Sequence, residues 1–401
     1  MLSSIANPVA VGGSYELTAR VNDQNGIEIR DASPSWSSSD TQIATVEAGL
    51  VEVVATGKAV ITAAYEGVSA ESDLVTFPEI IARVTVDEEP APGFTVRVGP
   101  LFMREAVTDS LGAFRFVNRR EGGEAVDIFG DGLSYDILQY GFQVNSQRVN
   151  LENGVVTEVE FRGFSIPQCD TVHQLIKLEF INNDPVYDDY WRSAVCRWTN
   201  IVSSISWKEC FLRAYDGVVV QVEYVDTREE EPGRIGFCEG SPLFAYFQMS
   251  RSSLYDDPKY WLVPPQAYGD ASDGIASALG IMARRMPEWE QLIEQGDPVL
   301  FTGVEATREF QAFGGTGSPR VFAWPGWAKW RDDELCNEAM GSQSWAGTTQ
   351  PISAVTVAAI EDAGVYEVNR DAAEPFIPYD CPAGSDAANV GRDLSVAVTH
   401  E

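Results

Sequence analysis

Residues 12–76 alternate apolar and polar side chains in steps of two, which is the period of a β-strand with one buried face. In SYELTARV, for example, Tyr15, Leu17, Ala19 and Val21 are predicted to face one way. Glycine, asparagine and aspartate stand in the intervening turns, where the backbone must bend. Short strands at this spacing predict a β-sandwich.

The segment 81–163 continues the all-β pattern, and its most specific part is the hairpin TDSLGAFRF. Gly112 is predicted to form the turn, after which Phe114 and Phe116 point to one face of a strand. Asp109 could bind calcium, but a residue that caps the turn is the preferred interpretation.

From residue 165 the pattern changes to mixed α and β. The stretch DDYWRSAVCRWTNIVSSI predicts an amphipathic helix whose apolar stripe faces the core. The stripe consists of Trp191, Ala194, Val195, Trp198, Ile201 and Val202. GVVVQVEYV (217–225) predicts a buried strand. ASDGIASALGIMARRMPEWEQLIEQ (271–295) predicts a helix that Pro287 breaks or kinks.

We therefore expect a multidomain chain with two all-β sandwich domains, over 1–79 and 80–164, followed by an α+β domain over 165–401. A length of 401 residues is compatible with two or three domains.

The amino-acid composition restricts the kinds of molecule that this chain is expected to bind. Sixty acidic residues face 28 basic ones, a formal net charge of −32, which repels nucleic acid and anionic membranes. A saline habitat and an ordinary acidic secreted protein explain this charge equally well. No run of 18 apolar residues is present, so we expect no membrane insertion. The first residues do not form a signal peptide, so either a leader is missing from the sequence or the protein leaves its cell by another route.

All six cysteines fall in the third segment, at positions 169, 196, 210, 238, 336 and 381. An even number confined to one domain favours disulfides in an oxidising compartment, although the sequence leaves the pairing open. No CxxC pair occurs, so a cysteine zinc site is not expected.

Three family resemblances refine these expectations. WSSSDTQIATVEAGLVEVVATGKAVITA resembles group 2 bacterial immunoglobulin-like domains, in which the tryptophan, here Trp36, packs inside. The hairpin with Thr108, Asp109, Gly112, Phe114 and Phe116 resembles carboxypeptidase regulatory-like (prealbumin-like) domains. Both kinds of domain are typical spacers or adhesive modules.

The third segment resembles leishmanolysin-like metallopeptidases, of the metzincin group, over roughly 175–378. The likeness rests on PVLFTGVEATREFQAFGGTGSP, WAKWRDDELCNEAMG and QPISAVTVAAIEDAGVYEVNRDAAEPF, which occur in the family's order. Active members carry HExxH. With ALG (278–280) as anchor, the resemblance places Asp273 at the first His, Gly274 at the catalytic Glu and Ser277 at the second His.

The third metal-binding His of the family falls on Lys329, and Met340 falls in the methionine turn. A catalytic zinc needs about three His or carboxylate ligands and a general base for its water. The whole chain has two histidines, His173 and His400, and Gly274 cannot act as a base. We therefore expect no metal, no cofactor and no peptidase activity at this site.

Two further expectations concern the cleft that holds the metal in active members of the family. Asp273 and Lys329 are predicted to lie within salt-bridge reach and to replace the metal as a structural tie; two solvated residues in an open cleft are the alternative. Trp324, Trp327 and Trp330 could form a lip that stacks on a ligand, although a packed wall is preferred. The acidic groups at 332–334 and 361–362 are interpreted as solvated helix ends, with calcium binding as the alternative.

The sequence thus favours a non-catalytic extracellular, cell-surface or virion-surface protein with a pseudopeptidase head used for binding or assembly. Its partners would be other protein subunits, a host-surface protein or a host-surface glycan, and a homo-oligomer is possible. A phage decoration or fibre protein and a bacterial or archaeal adhesin or surface-layer component both fit. The alternatives are a secreted hydrolase with a non-standard metal site and a purely architectural subunit.

Overall fold

The computed structural model describes residues 1–98, 104–118, 122–128, 139–142, 146–169, 175–206, 217–226, 233–238, 241–250, 263–324, 326–331, 333–335, 338–341 and 350–376. They form two compact units. The first unit comprises Met1–Thr85, Glu89–Ile128 and Ser146–Phe161, and the second comprises Val86–Glu88, Phe129–Asn145 and Arg162–Glu401. The predicted boundary at 164/165 lies close to a boundary of these units, whereas that at 79/80 falls inside the first unit. The three-domain division stays a prediction.

The first unit begins with a β-sandwich of six strands. These are β1 (Ser14–Glu16), β2 (Ser35–Ser38), β3 (Ala44–Glu47), β4 (Leu50–Val53), β5 (Lys58–Tyr65) and β6 (Val68–Val75). They form two antiparallel sheets, ordered β1-β4-β3 and β2-β5-β6. One core cluster draws Val51 and Val53 from the first sheet and Ile61 and Leu74 from the second, and Trp36 packs against it. The inward position expected for Trp36 is therefore confirmed.

A second set of strands follows in the same unit. It comprises β7 (Glu79–Val86), β8 (Glu89–Pro90), β9 (Thr95–Val98), β10 (Arg104–Val107), β11 (Ala113–Val117), β12 (Gly122–Ile128), β13 (Tyr140–Phe142), β14 (Ser146–Leu151) and β15 (Val156–Ser165), of which β13 belongs to the second unit. One sheet has the order β10-β9-β12-β14, and β7 pairs with β11 in the other. Both contribute fully buried residues, among them Ile80, Val84, Val96 and Val126.

The predicted turn at Gly112 is present, but the expected hairpin is wrong: β10 pairs with β9 and β11 pairs with β7, so the strands on the two sides of the turn belong to different sheets. Phe114 and Phe116 lie side by side with ring centroids 6.3 Å apart. Asp109 Oδ1 accepts hydrogen bonds from the N–H groups of Leu111 (2.9 Å) and Ala113 (3.0 Å). These bonds hold the pKa of the Asp109 carboxyl below its ordinary value. Asp109 is therefore the turn residue that the sequence predicts.

The second unit combines strands with helices. Its strands are β16 (Ile176–Ile181), β17 (Val202–Ile205), β18 (Val218–Val225), β19 (Arg234–Cys238), β20 (Ser241–Ser250), β21 (Ile293–Glu294), β22 (Leu300–Phe301), β23 (Val321–Trp324), β24 (Trp327–Trp330) and β25 (Tyr366–Val368). Its helices are α1 (Pro185–Ile201), α2 (Val263–Ala278), α3 (Pro287–Glu290), α4 (Val304–Ala312) and α5 (Ala354–Asp362), and a 3₁₀ turn spans Arg370–Ala372. The main sheet has the order β16-β18-β20-β19, in which only β19 runs antiparallel to its neighbour.

The whole predicted stripe is buried, since none of its six members is more than 6% exposed, but only five of them lie on α1, which ends at Ile201; Val202 begins β17. Helix α1 packs along α2, and the inward face of β18 carries Val218, Val220 and Val222 with no exposed surface. Cys196 on α1 is joined to Cys169 by a disulfide, and Cys238 is also disulfide-bonded. The expected disulfide chemistry is thus present, whereas Cys210, Cys336 and Cys381 lie outside the described residues.

The predicted helix over 271–295 is wrong in its extent. Helix α2 ends at Ala278, and the backbone turns sharply because Gly280 and Met282 adopt positive φ angles of 77° and 57°. A Cβ on Gly280 would lie 2.5 Å from Met286 Sδ and 2.7 Å from Pro242, so this close turn requires glycine. Pro287 begins the short helix α3 instead of kinking α2.

Within the described residues, no helix is long and apolar enough to cross a membrane.

Candidate functional site

The candidate site lies between helix α2 and the β23–β24 hairpin. Lys329 Nζ stands 3.1 Å from Asp273 Oδ2, and the two side chains are each 24% exposed. The predicted ion pair is therefore present, and the alternative of two separately solvated residues is wrong. Two main-chain bonds hold the hairpin to the segment after α2: the N–H of Ala328 donates to Met282 O (3.0 Å), and that of Arg284 donates to Gly326 O (2.9 Å).

Gly274, the position that the resemblance assigns to the catalytic Glu, is closed by packing. A Cβ at this position would lie 2.7 Å from Cη2 and 2.9 Å from Cζ3 of Trp191. Trp191 is only 2% exposed and packs on Phe247 with ring centroids 5.2 Å apart, so its indole has little room to retreat. Ser277, assigned to the second His, is 8% exposed. No larger side chain fits at Gly274 without displacing Trp191.

The tryptophans of the hairpin occupy different environments. Side chains alternate along a strand, so Trp327 and Lys329 share one face of β24 while Ala328 and Trp330 share the other. Trp330 is fully buried: it donates its indole N–H to Thr356 Oγ1 (2.7 Å) and packs against Phe301 with centroids 5.3 Å apart. Trp330 therefore cannot form the ligand-stacking lip, because it belongs to the core.

Trp327 is 8% exposed, and its ring centroid lies 6.4 Å from that of Phe237. It is thus part of a packed wall, as the preferred interpretation expects. The side chain of Trp324 lies outside the described residues, as do His173 and His400.

The turn that contains Met340 is held by a buried carboxylate that the sequence analysis missed. Glu338 has no exposed surface and accepts hydrogen bonds from four donors. They are the N–H of Met340 (2.5 Å), the N–H and hydroxyl of Ser353 (2.9 Å each) and the hydroxyl of Thr356 (2.6 Å). Burial raises the pKa of the Glu338 carboxyl, and these hydrogen bonds oppose that rise.

Glu338 thereby joins the turn to the N-terminus of α5, where Ser353 is the N-cap. The N–H of Trp330 donates to Met340 O (2.8 Å), which attaches the same turn to the hairpin. Met340 itself is 1% exposed. The position that the resemblance assigns to the methionine turn therefore lies directly beside the strand that carries Lys329.

A second buried polar centre lies under α2. Arg197 on α1 is 1% exposed and makes a two-pronged ion pair with Glu374, with Nε 2.5 Å from Oε1. Its guanidinium also donates to Gln350 O, and Glu374 Oε2 accepts from the N–H of Ile352 (2.7 Å). Arg197 lies next to the predicted apolar stripe of α1, and an arginine on a buried helix face is a signal that could have revealed this pair.

Helix α5 ends at the acids 361–362, and the interpretation as solvated helix ends fits Glu361, which is exposed, but is wrong for Asp362. Asp362 accepts hydrogen bonds from the N–H groups of Glu305 (3.0 Å) and Ala306 (2.9 Å) and so caps helix α4. A Cβ on Gly303, the N-cap of α4, would lie 2.3 Å from Asp362 Oδ2. Gly303 therefore leaves room for a carboxylate of helix α5 to cap α4. This contact joins the segments FTG (301–303) and IED (360–362).

Glu361 pairs with Arg370, which also pairs with Glu305. The guanidinium of Arg370 holds the pKa of the Glu305 carboxyl below its ordinary value.

At the other acidic group, Glu334 pairs with Arg320 (2.5 Å), and Asp333 pairs with Arg320 (3.1 Å) and Arg331 (3.0 Å). Asp332 lies outside the described residues. Among the described residues, no three His, Cys, Asp or Glu side chains are grouped as metal ligands would be.

Comparisons with known proteins give no family assignment. No protein-family model matches the chain, and no curated protein matches it. Solved structures similar to parts of it include the minor pilin of Streptococcus agalactiae, at 12% identity and a TM-score of 0.19 over 32% of this chain and 70% of that one. The major pilin subunit of Bacillus cereus has 14% identity and a TM-score of 0.17, covering 34% of this chain and 53% of that one.

The full-length major pilin of Corynebacterium diphtheriae has 7% identity and a TM-score of 0.19, covering 40% of this chain and 64% of that one. At these scores the likeness carries no inference about function. The function is therefore argued from the site itself.

Proposed function

We propose that this chain is a non-catalytic surface protein whose third segment keeps a metallopeptidase scaffold for binding or assembly. The observation that supports this most strongly is the Asp273–Lys329 ion pair, because it joins the two elements that supply zinc ligands in leishmanolysin-like enzymes. A lysine ammonium at a ligand position repels a metal cation instead of binding it. The pair would hold α2 and the hairpin together in the metal's place.

The surroundings of Gly274 support the same proposal. A metal-dependent peptidase of this kind needs a general base beside the metal-bound water. Gly274 has no side chain, and the Trp191 ring occupies the space into which one would extend. The ligand positions and the base position are thus changed together, which favours loss of catalysis over a rebuilt metal site.

The remaining features favour a location outside the reducing cytoplasm. The Cys169–Cys196 disulfide is typical of oxidising compartments, and β-sandwich units in front of a head domain are typical of stalks and adhesive modules. The strong negative charge favours protein or glycan partners over nucleic acid. We propose an extracellular, cell-surface or virion-surface protein that contacts other subunits or a host-surface molecule.

A peptidase assay tests this proposal. The purified chain, with zinc added, is incubated with a panel of fluorogenic peptides and with denatured casein. We expect no cleavage above that of a Lys329→Met variant, because neither protein has a metal site or a base. The opposite result is cleavage by the natural chain that a chelator abolishes and that Lys329→Met leaves in place. It would show an active hydrolase with another metal site.

A further inference from the structure

The segment that connects the two sets of strands in the first unit is short and buried. Strand β6 ends at Val75 and β7 begins at Glu79, so only residues 76–78 join them. Thr76 and Pro78 are both buried. Proline fixes its own φ, which stiffens a short connection. The connection therefore differs from the exposed, flexible linkers that usually separate domains.

Thr76 attaches this connection to the first sandwich. It donates its N–H to Gly57 O (3.1 Å), and its hydroxyl oxygen accepts from the N–H of Gly57 (2.9 Å). The next residue, Phe77, donates its N–H to Val9 O (2.9 Å). The first part of the connection is therefore bound to the first sandwich along its main chain.

A turn of the second set of strands contacts the same connection. This turn, residues 152–155, joins β14 to β15. The N–H of Gly154 donates to Thr76 O (2.7 Å), and the N–H of Glu79 donates to Val155 O (3.1 Å). We call the connection and this turn the junction. Its main-chain bonds run from the first sandwich, through Thr76, to the second set of strands.

Gly154 allows the turn to approach the first sandwich closely. Its φ angle is 74°, a conformation that favours glycine. A Cβ at this position would lie 2.7 Å from Lys58 Cγ and 2.9 Å from Gly57 O. Since Gly57 O is a main-chain atom, the first sandwich could accommodate a side chain here only by shifting its backbone.

The carboxylate of Glu79 adds a further link across the junction. Its Oε2 accepts from the hydroxyl of Thr56 in the first sandwich (2.9 Å), and its Oε1 pairs with Arg115 on β11 (3.2 Å). The Glu79 side chain is only 12% exposed, so salt screens these contacts less than contacts at the open surface. One carboxylate thus holds a residue of each set of strands.

We propose that the junction holds the first sandwich and the second set of strands as one rigid module. Domains of one chain move relative to each other unless their interface restrains them. Here bending at residues 76–78 would break the bonds of Thr76, Gly154 and Glu79 together. The chain therefore carries a rigid spacer. This proposal concerns the first unit alone, so it goes beyond the proposed function and does not depend on it.

Residual dipolar couplings of the full chain, labelled with ²H and ¹⁵N, test this rigidity. The amides of β4, β5 and β6 report on the first sandwich, and those of β9, β12 and β14 report on the second set of strands. We expect both groups to give alignment tensors of the same magnitude, because a rigid module aligns as one body. Tensors of different magnitude would show independent motion and overturn the proposal.

The variant Gly154→Ala tests whether the close turn causes the rigidity. Gly67, between β5 and β6, is the matched control: its φ of 84° strains an alanine equally, but a Cβ there meets no atom within 4 Å. We expect Gly154→Ala to speed hydrogen exchange at the N–H groups of Gly57 and Glu79 by about tenfold, as weakening of their hydrogen bonds should. Gly67→Ala should leave both rates unchanged.

Equal exchange rates in the two variants would overturn the role assigned to the turn. Neither that result nor tensors of different magnitude would bear on peptide cleavage, so a failure of this proposal is distinguishable from a failure of the proposed function.

Discussion

Two ion pairs in the second unit show how differently the same kind of contact can act. Asp273–Lys329 joins helix α2 to strand β24 with each side chain 24% exposed, whereas Arg197–Glu374 is almost wholly enclosed, with side chains 1% and 6% exposed. The first pair consists of residues that the metallopeptidase resemblance assigns to metal-ligand positions. The second pair is marked by no motif, and its Arg197 lies next to the apolar stripe of α1. We infer that the first marks the site and the second stabilises the fold that presents it.

Replacing Arg197 by Met should produce the largest loss of stability. The change leaves Glu374 as a buried carboxylate without its cation, which costs about 3–5 kcal/mol. Urea denaturation followed by tryptophan fluorescence measures this loss. The double variant Arg197→Met, Glu374→Leu is the control: it should recover most of the stability, and a double variant as unstable as the single one would contradict the account.

Introducing a side chain at Gly274 should cost about 1–3 kcal/mol, the usual range for overpacking a core. The variant is Gly274→Ala, measured by the same denaturation experiment. In a Trp191→Phe background the ring is shorter, so the alanine should become neutral or stabilise the helix by up to about 1 kcal/mol. If the alanine is equally harmful in both backgrounds, the Trp191 ring does not close this position.

Removing the charge of Glu338 should cost about 1–3 kcal/mol. In Glu338→Gln one carboxylate oxygen becomes an amide NH₂, which faces hydrogen-bond donors instead of acceptors and leaves some of them unpaired. Thermal unfolding compares the variant with Glu334→Gln, an acid of the same segment that is only partly buried. A smaller loss at position 338 than at 334 would remove Glu338 from its proposed role.

Uncapping helix α4 should cost about 1 kcal/mol, the usual effect of losing a cap. Asp362→Ala removes the carboxylate, and Gly303→Ala pushes it away from the N–H groups of Glu305 and Ala306. Because both changes break one contact, their effects should be far from additive in a double-mutant cycle. Full additivity would show that Gly303 and Asp362 act independently.

Breaking the Asp273–Lys329 pair should have the smallest effect. The double variant Asp273→Asn, Lys329→Gln removes a partly exposed ion pair, which contributes about 0–1 kcal/mol. Chemical denaturation should therefore give a midpoint close to that of the natural chain. A loss as large as that of Arg197→Met would erase the distinction between the two pairs.

Sequence patterns predicted the parts of the molecule that repeat with a simple period. The strands of residues 12–76, the apolar stripe that begins on α1 and the strand with Phe114 and Phe116 side by side are present because alternation and helical spacing report directly which face is buried. The Asp273–Lys329 contact was predictable because both residues stand at motif positions. The periodic patterns are local signals that need no knowledge of distant contacts, whereas Asp273 and Lys329 are 56 residues apart and their pairing was predictable only because the resemblance places both at metal-ligand positions.

The sequence could not reveal what depends on long-range packing. Arg197 and Glu374 are 177 residues apart, and no local pattern pairs them. The end of α2 at Ala278 follows from the close approach of Met286 and Pro242 to Gly280, and the place of Trp330 in the core follows from its contacts with Phe301 and Thr356. Such contacts exist only in the folded chain, so propensity gave the wrong helix end, and the preference for a packed wall of tryptophans named none of the contacts that bury Trp330.

The most direct test of the central claim is the metal content of the purified chain, measured by inductively coupled plasma mass spectrometry after exhaustive dialysis. We predict no stoichiometric zinc or other transition metal, because Asp273 and Lys329, which the resemblance assigns to metal-ligand positions, pair with each other. One equivalent of zinc that survives dialysis, and that is lost in Asp273→Asn, would contradict the account and show a working metal site.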